Sequence, residues 1–252
     1  MLETYRDWHV SGQRNNLDFD FTKPGGCMTF SILGFCPRSG MLGMAVSSSS
    51  PAVAARCAHA RARIGVVATQ NITDPTLGPK GLALLEDGLD AERALERLKA
   101  RAPHIEYRQL VLLDRNGKSA GFSGTKTLGT HGVALSRNGA AAGNLLKDAG
   151  VPSHMLARFG ETAALDLGDR LIEALTAGLS AGGEAGPVHS AGLVMVRDVP
   201  WPVADLRVDW HDADPIGELA RLWQRYKPQM DDYVARALNP ERAPFYGVPG
   251  EK

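Results

Sequence analysis

The chain has 252 residues, 44% of them hydrophobic and 22% charged, enough to bury a full core and near the upper end of one domain. Lys plus Arg and Asp plus Glu balance at 28 each, so no global field points to nucleic acid or an anionic membrane. No apolar run approaches the roughly 20 residues that span a bilayer, and the polar start MLETYRDWHVSGQRNNLDFDF lacks the apolar stretch of a signal peptide.

Three cysteines, Cys27, Cys36 and Cys57, form no Cys-x-x-Cys pair, so a disulfide framework or structural zinc is not expected. A cytoplasmic protein without a bound cofactor is the expectation, acting on a small molecule rather than on nucleic acid or membrane.

Residues 1–27 stand apart as an N-terminal extension. They are rich in Asp, Asn and Arg and end in Lys23-Pro24-Gly25-Gly26, a poor element former. A pro-segment, a misassigned start and an arm packed on a partner all fit, the first two better. The domain proper is expected over 28–252. Thr29–Phe35 (TFSILGF) opens it as a β-strand, and Gly40–Ser47 is its hairpin partner across the turn Cys36–Gly40. Ser50 caps and Pro51 starts a helix expected over the Ala-rich Pro51–Arg63. Ile64–Gln70 is a short β-branched strand, followed by helices over Lys80–Asp87 and Ala91–Arg101, the second capped by Asp90.

Tyr107–Asp114 and Ser119–Ser123 flank an Asn-Gly turn, a strong hairpin signal. A second strand pair fills Gly132–Gly143, turning at Arg137-Asn138-Gly139. Helices are expected at Asp148–Phe159 and Leu165–Leu179, and strands at Ser190–Val196 and Asp205–Asp209. A long last helix covers Pro215–Tyr233, with a break at Pro228. Strand runs enclosing helix pairs, with neighbouring hairpins, argue an α+β fold on antiparallel sheets. A four-layer αββα sandwich fits, and the apolar sheet faces leave room for a homo-oligomer.

The chemistry centres on Met28-Thr29 at the head of the first strand. A threonine freed at its α-amine holds a base, with a pKa near 8, and a nucleophile in one residue. Cys27 is a rival if cleavage follows Gly26.

Ordered short motifs run through the chain: Thr29-Phe30-Ser31-Ile32, Gly43-Met44-Ala45-Val46-Ser47, Ala68-Thr69-Gln70, Gly78-x-x-Gly81-Leu82-x-Leu84-Leu85 and Tyr107-Arg108-Gln109. Gly143-Asn144-Leu145-Leu146, Ala181-Gly182-Gly183 and Leu206-Arg207-Val208-Asp209 complete them. Together, from Met28 to about Tyr226, they resemble the DUF1028 family, classed with the N-terminal-nucleophile (Ntn) hydrolase-like proteins. The resemblance implies the αββα sandwich with the active-site candidate at the start of the first strand, while the family has no settled reaction. The chain departs from the family pattern at Glu184–Ser190 and at Val208-Asp209-Trp210-His211.

The catalytic set expected is Thr29, Asn144, Ser47 and Asp209; Gln70, Ser48, His211 and Ser190 are expected to contact substrate. Ser47 and Ser48 end the strand beside Thr29, and Gln70 ends a buried strand where it meets an amide or carboxylate. Gly143-Asn144 is the oxyanion-hole candidate. A Ser190-His189-Asp209 relay and a metal site from Asp209, His211, Asp212 and Asp214 are the other arrangements, though the latter segment equally suits helix capping. The reaction expected is hydrolysis of a small amide, cyclic or carbamoyl-like. The alternatives are a non-catalytic small-molecule binder on the same fold and a metal-assisted hydrolase centred on Asp209 and His211.

Overall fold

A tight hairpin organises the molecule. Strand β1 (Thr29–Cys36) and strand β2 (Met41–Ser48) are joined by four residues, with Gly40 at φ +68° donating its N–H to the Cys36 carbonyl at 2.9 Å. That turn fixes the register, pairing Cys36 with Met41 and therefore Thr29 with Ser48. The structure, a computed structural model, describes residues 28–247. The expectations for residues 1–27, Cys27 included, lie outside the described residues.

After the hairpin come α1 (Val53–Cys57), β3 (Ala58–Arg61) and β4 (Gly65–Asn71). The single helix expected over Pro51–Arg63 is therefore wrong beyond Cys57. Helix propensity of Ala is a weak force. Here it loses to backbone pairing, because Ala58–Arg61 turns back through Arg63 (φ +61°) and covers the edge of β4. Helices α2 (Leu77–Glu86) and α3 (Ala91–Arg101) follow, and Asp90 caps α3 by accepting the Arg93 N–H at 3.0 Å, as expected. Such a cap is worth about 1 kcal/mol.

Strands β5 (Arg108–Asp114) and β6 (Ser119–Ser123), then β7 (Gly132–Ser136) and β8 (Gly139–Asn144), form the two further hairpins. Helices α4 (Val151–Glu161) and α5 (Leu167–Ser180), strands β9 (Ser190–Val196) and β10 (Ala204–Val208), and helices α6 (Pro215–Tyr226) and α7 (Met230–Leu238) complete the chain. The last two are separated at Lys227–Gln229, where Pro228 supplies no backbone donor.

The strands make two antiparallel sheets, one of six in the order β10-β9-β2-β1-β8-β7 and one of four in the order β3-β4-β5-β6. Strand alternation then makes three apolar layers. Leu33, Met44, Val46, Val66, Ala68, Val111, Ala142 and Val194 pack between the sheets. Phe30, Ile32, Met155, Leu171, Leu175 and Trp223 fill the space between the six-stranded sheet and α4–α7. Val67, Leu82, Leu95, Leu110 and Leu112 lie under α2 and α3. Each fully buried side chain of this size contributes about 1.5–3 kcal/mol. No helix among the described residues is long and apolar enough to cross a membrane.

Candidate active site at the head of the first strand

Parity places the polar residues. Phe30 and Ile32 belong to the helix-side core, so Thr29 and Ser31 face the second sheet with Leu33. Thr29 pairs with Ser48 on β2 and with Asn144 on β8, and Ser48 pairs in turn with Ser190 on β9. Asn144, Thr29, Ser48 and Ser190 thus form a polar row across four adjacent strands, at one end of the layer between the sheets. Thr29 is 3% exposed and the other three are fully buried. Ser47, expected beside Thr29, points the other way. It pairs with Phe30 and its Oγ donates to the Ser190 carbonyl at 2.9 Å, so Ser48 is the hydroxyl next to Thr29.

The hydroxyls form a chain. Thr29 Oγ1 donates to Ser48 Oγ over 3.4 Å, and Ser48 Oγ donates to the carbonyl of Met28. Ser48 Oγ also accepts the Ser50 N–H at 3.1 Å, and Arg56 Nη2 donates to Ser50 Oγ. Met28 is itself 3% exposed, and its carbonyl holds the Ser48 hydroxyl at the Thr29 end of the row.

Opposite lies an amide network. Ser31 Oγ donates to Gln70 Oε1 at 2.8 Å, and Gln70 Nε2 donates to Gln109 Oε1 at 2.7 Å. Asn144 Nδ2 donates to that same oxygen at 3.2 Å. Gln109 Nε2 donates to the Gly143 carbonyl at 3.0 Å and Ser123 Oγ at 2.9 Å. Gln70 therefore has both ends of its amide engaged by protein and acts as a brace, not as the ligand-binding arm expected of it. Gln109 is the hub that orients Asn144. It carries no role in the sequence reading, although a glutamine at the inward parity of Val111 and Leu113 was a usable signal. Asn144 Oδ1 is left buried without a partner.

Glu184 is a second residue of this site that carries no role in the sequence reading. Gly182 and Gly183 take φ +120° and +56°, turning the chain so that Glu184 forms a β-bridge with Leu146, two residues beyond β8. Its Oε2 accepts the N–H of Ser49, one residue beyond β2, at 3.0 Å. Since β1 lies between β2 and β8, Glu184 spans the head of β1. The side chain sits in a residue 4% exposed and Oε1 has no partner. Burial pushes its carboxyl well above the usual range, and the Ser49 hydrogen bonds only partly oppose this.

The remaining candidates do different work. Ser190 Oγ donates to the Ser50 carbonyl at 2.6 Å and accepts the Val53 N–H at 3.3 Å, so no relay joins it to His189. His189 stacks on Trp210 at 4.3 Å between centroids, and its Nδ1 lies 3.1 Å from the His211 carbonyl. His211 Nδ1 accepts the Asp214 N–H at 2.8 Å and the Ala213 N–H at 3.2 Å, so this nitrogen serves the turn before α6. Asp209 is exposed, and its backbone carbonyl accepts the Ala52 N–H at 2.9 Å. Asp214 caps α6 through the Gly217 N–H at 2.8 Å. Among the described residues no three His, Cys, Asp or Glu side chains gather where they could hold a metal ion. The Asp209–Asp214 segment is thus a loop staple and helix cap, and neither it nor the other candidates of that segment join Thr29.

The family model of the DUF1028 family, a family of unknown function, matches residues 29–219. The chain belongs to the DUF1028 family. A crystal structure of the protein SPO2555 from Silicibacter pomeroyi, assigned to the same family model, is 29% identical with a TM-score of 0.76, over 83% of this chain and 91% of that one. Among curated proteins nothing matches. The DUF1028 match opens at Thr29 and takes in the whole polar row and Glu184.

Proposed function

We propose that this DUF1028 protein is an Ntn hydrolase-like enzyme that cleaves a small amide, with Thr29 as nucleophile. The observation that carries the reading is the register: Thr29 heads a central strand with the Ser48 hydroxyl on one side and the Asn144 amide on the other, where polar groups are otherwise costly to bury. The reading requires Thr29 to become the first residue. Loss of the chain through Met28 would create the α-amine and also remove the carbonyl to which Ser48 Oγ now donates.

The steps follow from these groups. The Thr29 amine accepts the Oγ1 proton as the oxygen attacks the amide carbonyl carbon, with Ser48 Oγ holding the pair in line. The C–N bond breaks as the proton passes from the Thr29 ammonium to the departing nitrogen. Water then cleaves the threonyl ester and regenerates the hydroxyl. Asn144, expected as an oxyanion donor, has its Nδ2 directed to Gln109 and its acceptor Oδ1 free, so its role becomes holding a substrate N–H.

A panel of small amides, linear and cyclic, tests this against wild type, Thr29→Ala and Thr29→Ser. Turnover is expected to vanish in the first variant and persist in part in the second; unchanged turnover in Thr29→Ala rules the nucleophile out. A second reading, ligand binding without chemistry, draws support from the intact Met28 carbonyl bonded by Ser48. It predicts amide binding with no turnover in any form.

A further inference from the structure

Two buried oxygens at the head of β1 lack any partner, Asn144 Oδ1 and Glu184 Oε1, and they are of opposite kind. Asn144 Nδ2 donates to Gln109 Oε1, which fixes the amide so that the free atom is an acceptor. Glu184 uses Oε2 to accept the Ser49 N–H. Burial with Oε1 unpartnered favours the neutral carboxyl, and in that form, with Oε2 accepting from Ser49, Oε1 is the oxygen that carries the proton and the free atom is a donor. One residue reaches Thr29 from the β8 side. The other spans from Leu146 to Ser49 over the strand. The other two unpartnered buried atoms are Arg108 Nε and Thr127 Oγ1: Arg108 has the parity of Leu110, away from the layer between the sheets, and Thr127 lies in the loop after β6, whose Leu128 carbonyl accepts the Leu145 N–H at 3.1 Å.

An unpartnered acceptor and an unpartnered donor either side of a nucleophile match the two polar atoms of one amide. Resting on the Thr29 reading above, we infer that Asn144 Oδ1 receives the substrate N–H while the Glu184 hydroxyl donates to the substrate carbonyl oxygen, making Glu184 a catalytic residue and the substrate a primary or secondary amide, ureides included. Esters and N,N-disubstituted amides lack the N–H and leave Asn144 Oδ1 orphaned, so they are poor ligands. As Oγ1 adds to the carbon, the carbonyl oxygen gains charge and the same Glu184 hydrogen bond strengthens. No proton leaves the carboxyl in this step. A neutral acid in a buried site serves this purpose because it supplies an oriented donor that water would otherwise compete with.

The test is a binding measurement by NMR titration with N-methylacetamide and methyl acetate on the Thr29→Ala protein freed of residues 1–28, the state the Thr29 reading requires. N-methylacetamide is expected to bind about tenfold or more tightly than methyl acetate. Adding Glu184→Ala is expected to cost about tenfold in its affinity, whereas Glu184→Gln, which also offers an N–H beside an acceptor for Ser49, stays within about threefold. Glu184→Met serves if the alanine variant fails to fold. Equal affinity for the two probes, no binding of either, or Glu184→Gln as weak as Glu184→Ala overturns the inference. Because binding is read without turnover, failure here is distinct from failure of Thr29 as nucleophile, which only the turnover comparison addresses.

Discussion

Replacing Gln109 by alanine removes the one side chain that ties both sheets to Asn144. In the native chain Gln109 Oε1 accepts from Gln70 Nε2 and Asn144 Nδ2, and Nε2 donates to the Gly143 carbonyl, all buried. The substitution orphans the Gln70 and Asn144 amide nitrogens, while Gly143 keeps its place in the ladders of β8 with β1 and β7. Each buried unpartnered polar group costs about 1–3 kcal/mol, not fully additively, so the expected loss is about 2–4 kcal/mol, or a Tm fall of roughly 6–12 °C at this chain length. Gln109→Met keeps the volume and still orphans the groups, so it should lose nearly as much. Ser31→Ala, which removes only the bond to Gln70 Oε1, is the reference at about 1–2 kcal/mol. Urea unfolding followed by circular dichroism and by tryptophan fluorescence reads all three, with coincident transitions required before the midpoints are compared. A Gln109→Met protein within about 1 kcal/mol of wild type would refute the hub, and with it the argument that Asn144 is held with Oδ1 free.

Two further predictions concern the carboxyl and the glycines. Burial raises the Glu184 pKa in the folded chain above its unfolded value near 4.5, so the folded state keeps a proton that the unfolded state releases. Its stabilising contribution is full below the unfolded pKa and is lost as pH rises through the raised one. Glu184→Gln should therefore match wild type in Tm at pH 4 and exceed it at pH 8, and an unchanged difference between the two pH values would contradict the buried neutral carboxyl. In α4, a Cβ on Gly160 meets nothing within 4 Å, so Gly160→Ala should stabilise by about 0.5–1 kcal/mol. On β1, a Cβ on Gly34 would lie 2.5 Å from the Phe159 ring. Gly34→Ala should destabilise by about 1–3 kcal/mol, and thermal melts giving both glycines the same sign would show that packing at Gly34 is not as tight as described.

Most elements were legible because their apolar period was strong. The β1–β2 hairpin, the α3 cap at Asp90 and the break at Pro228 all follow from single residues whose chemistry leaves few options. The Pro51–Arg63 segment was not, since local propensity favours helix while the exposed edge of β4 recruits Ala58–Arg61 by pairing, a non-local interaction absent from any short window. The site shows the same division. Thr29, Ser48 and Asn144 were nameable as strand ends, but which serine stood beside Thr29 depended on the hairpin register, which a one-residue change in loop length would reverse. Asp209 and His211 shared a plausible spacing and proved to be loop and capping residues. Glu184 lies some forty residues from Asn144, and only the glycine turn before it brings it over β1.

Intact-mass measurement of the protein expressed from its natural gene, with turnover of a small amide followed on the same sample, tests the central claim most directly. The account predicts that the amide-hydrolysing species begins at Thr29, and that no hydrolysis accompanies any species that retains Met28. A species still carrying Met28 that hydrolyses the amide at the same rate would contradict it.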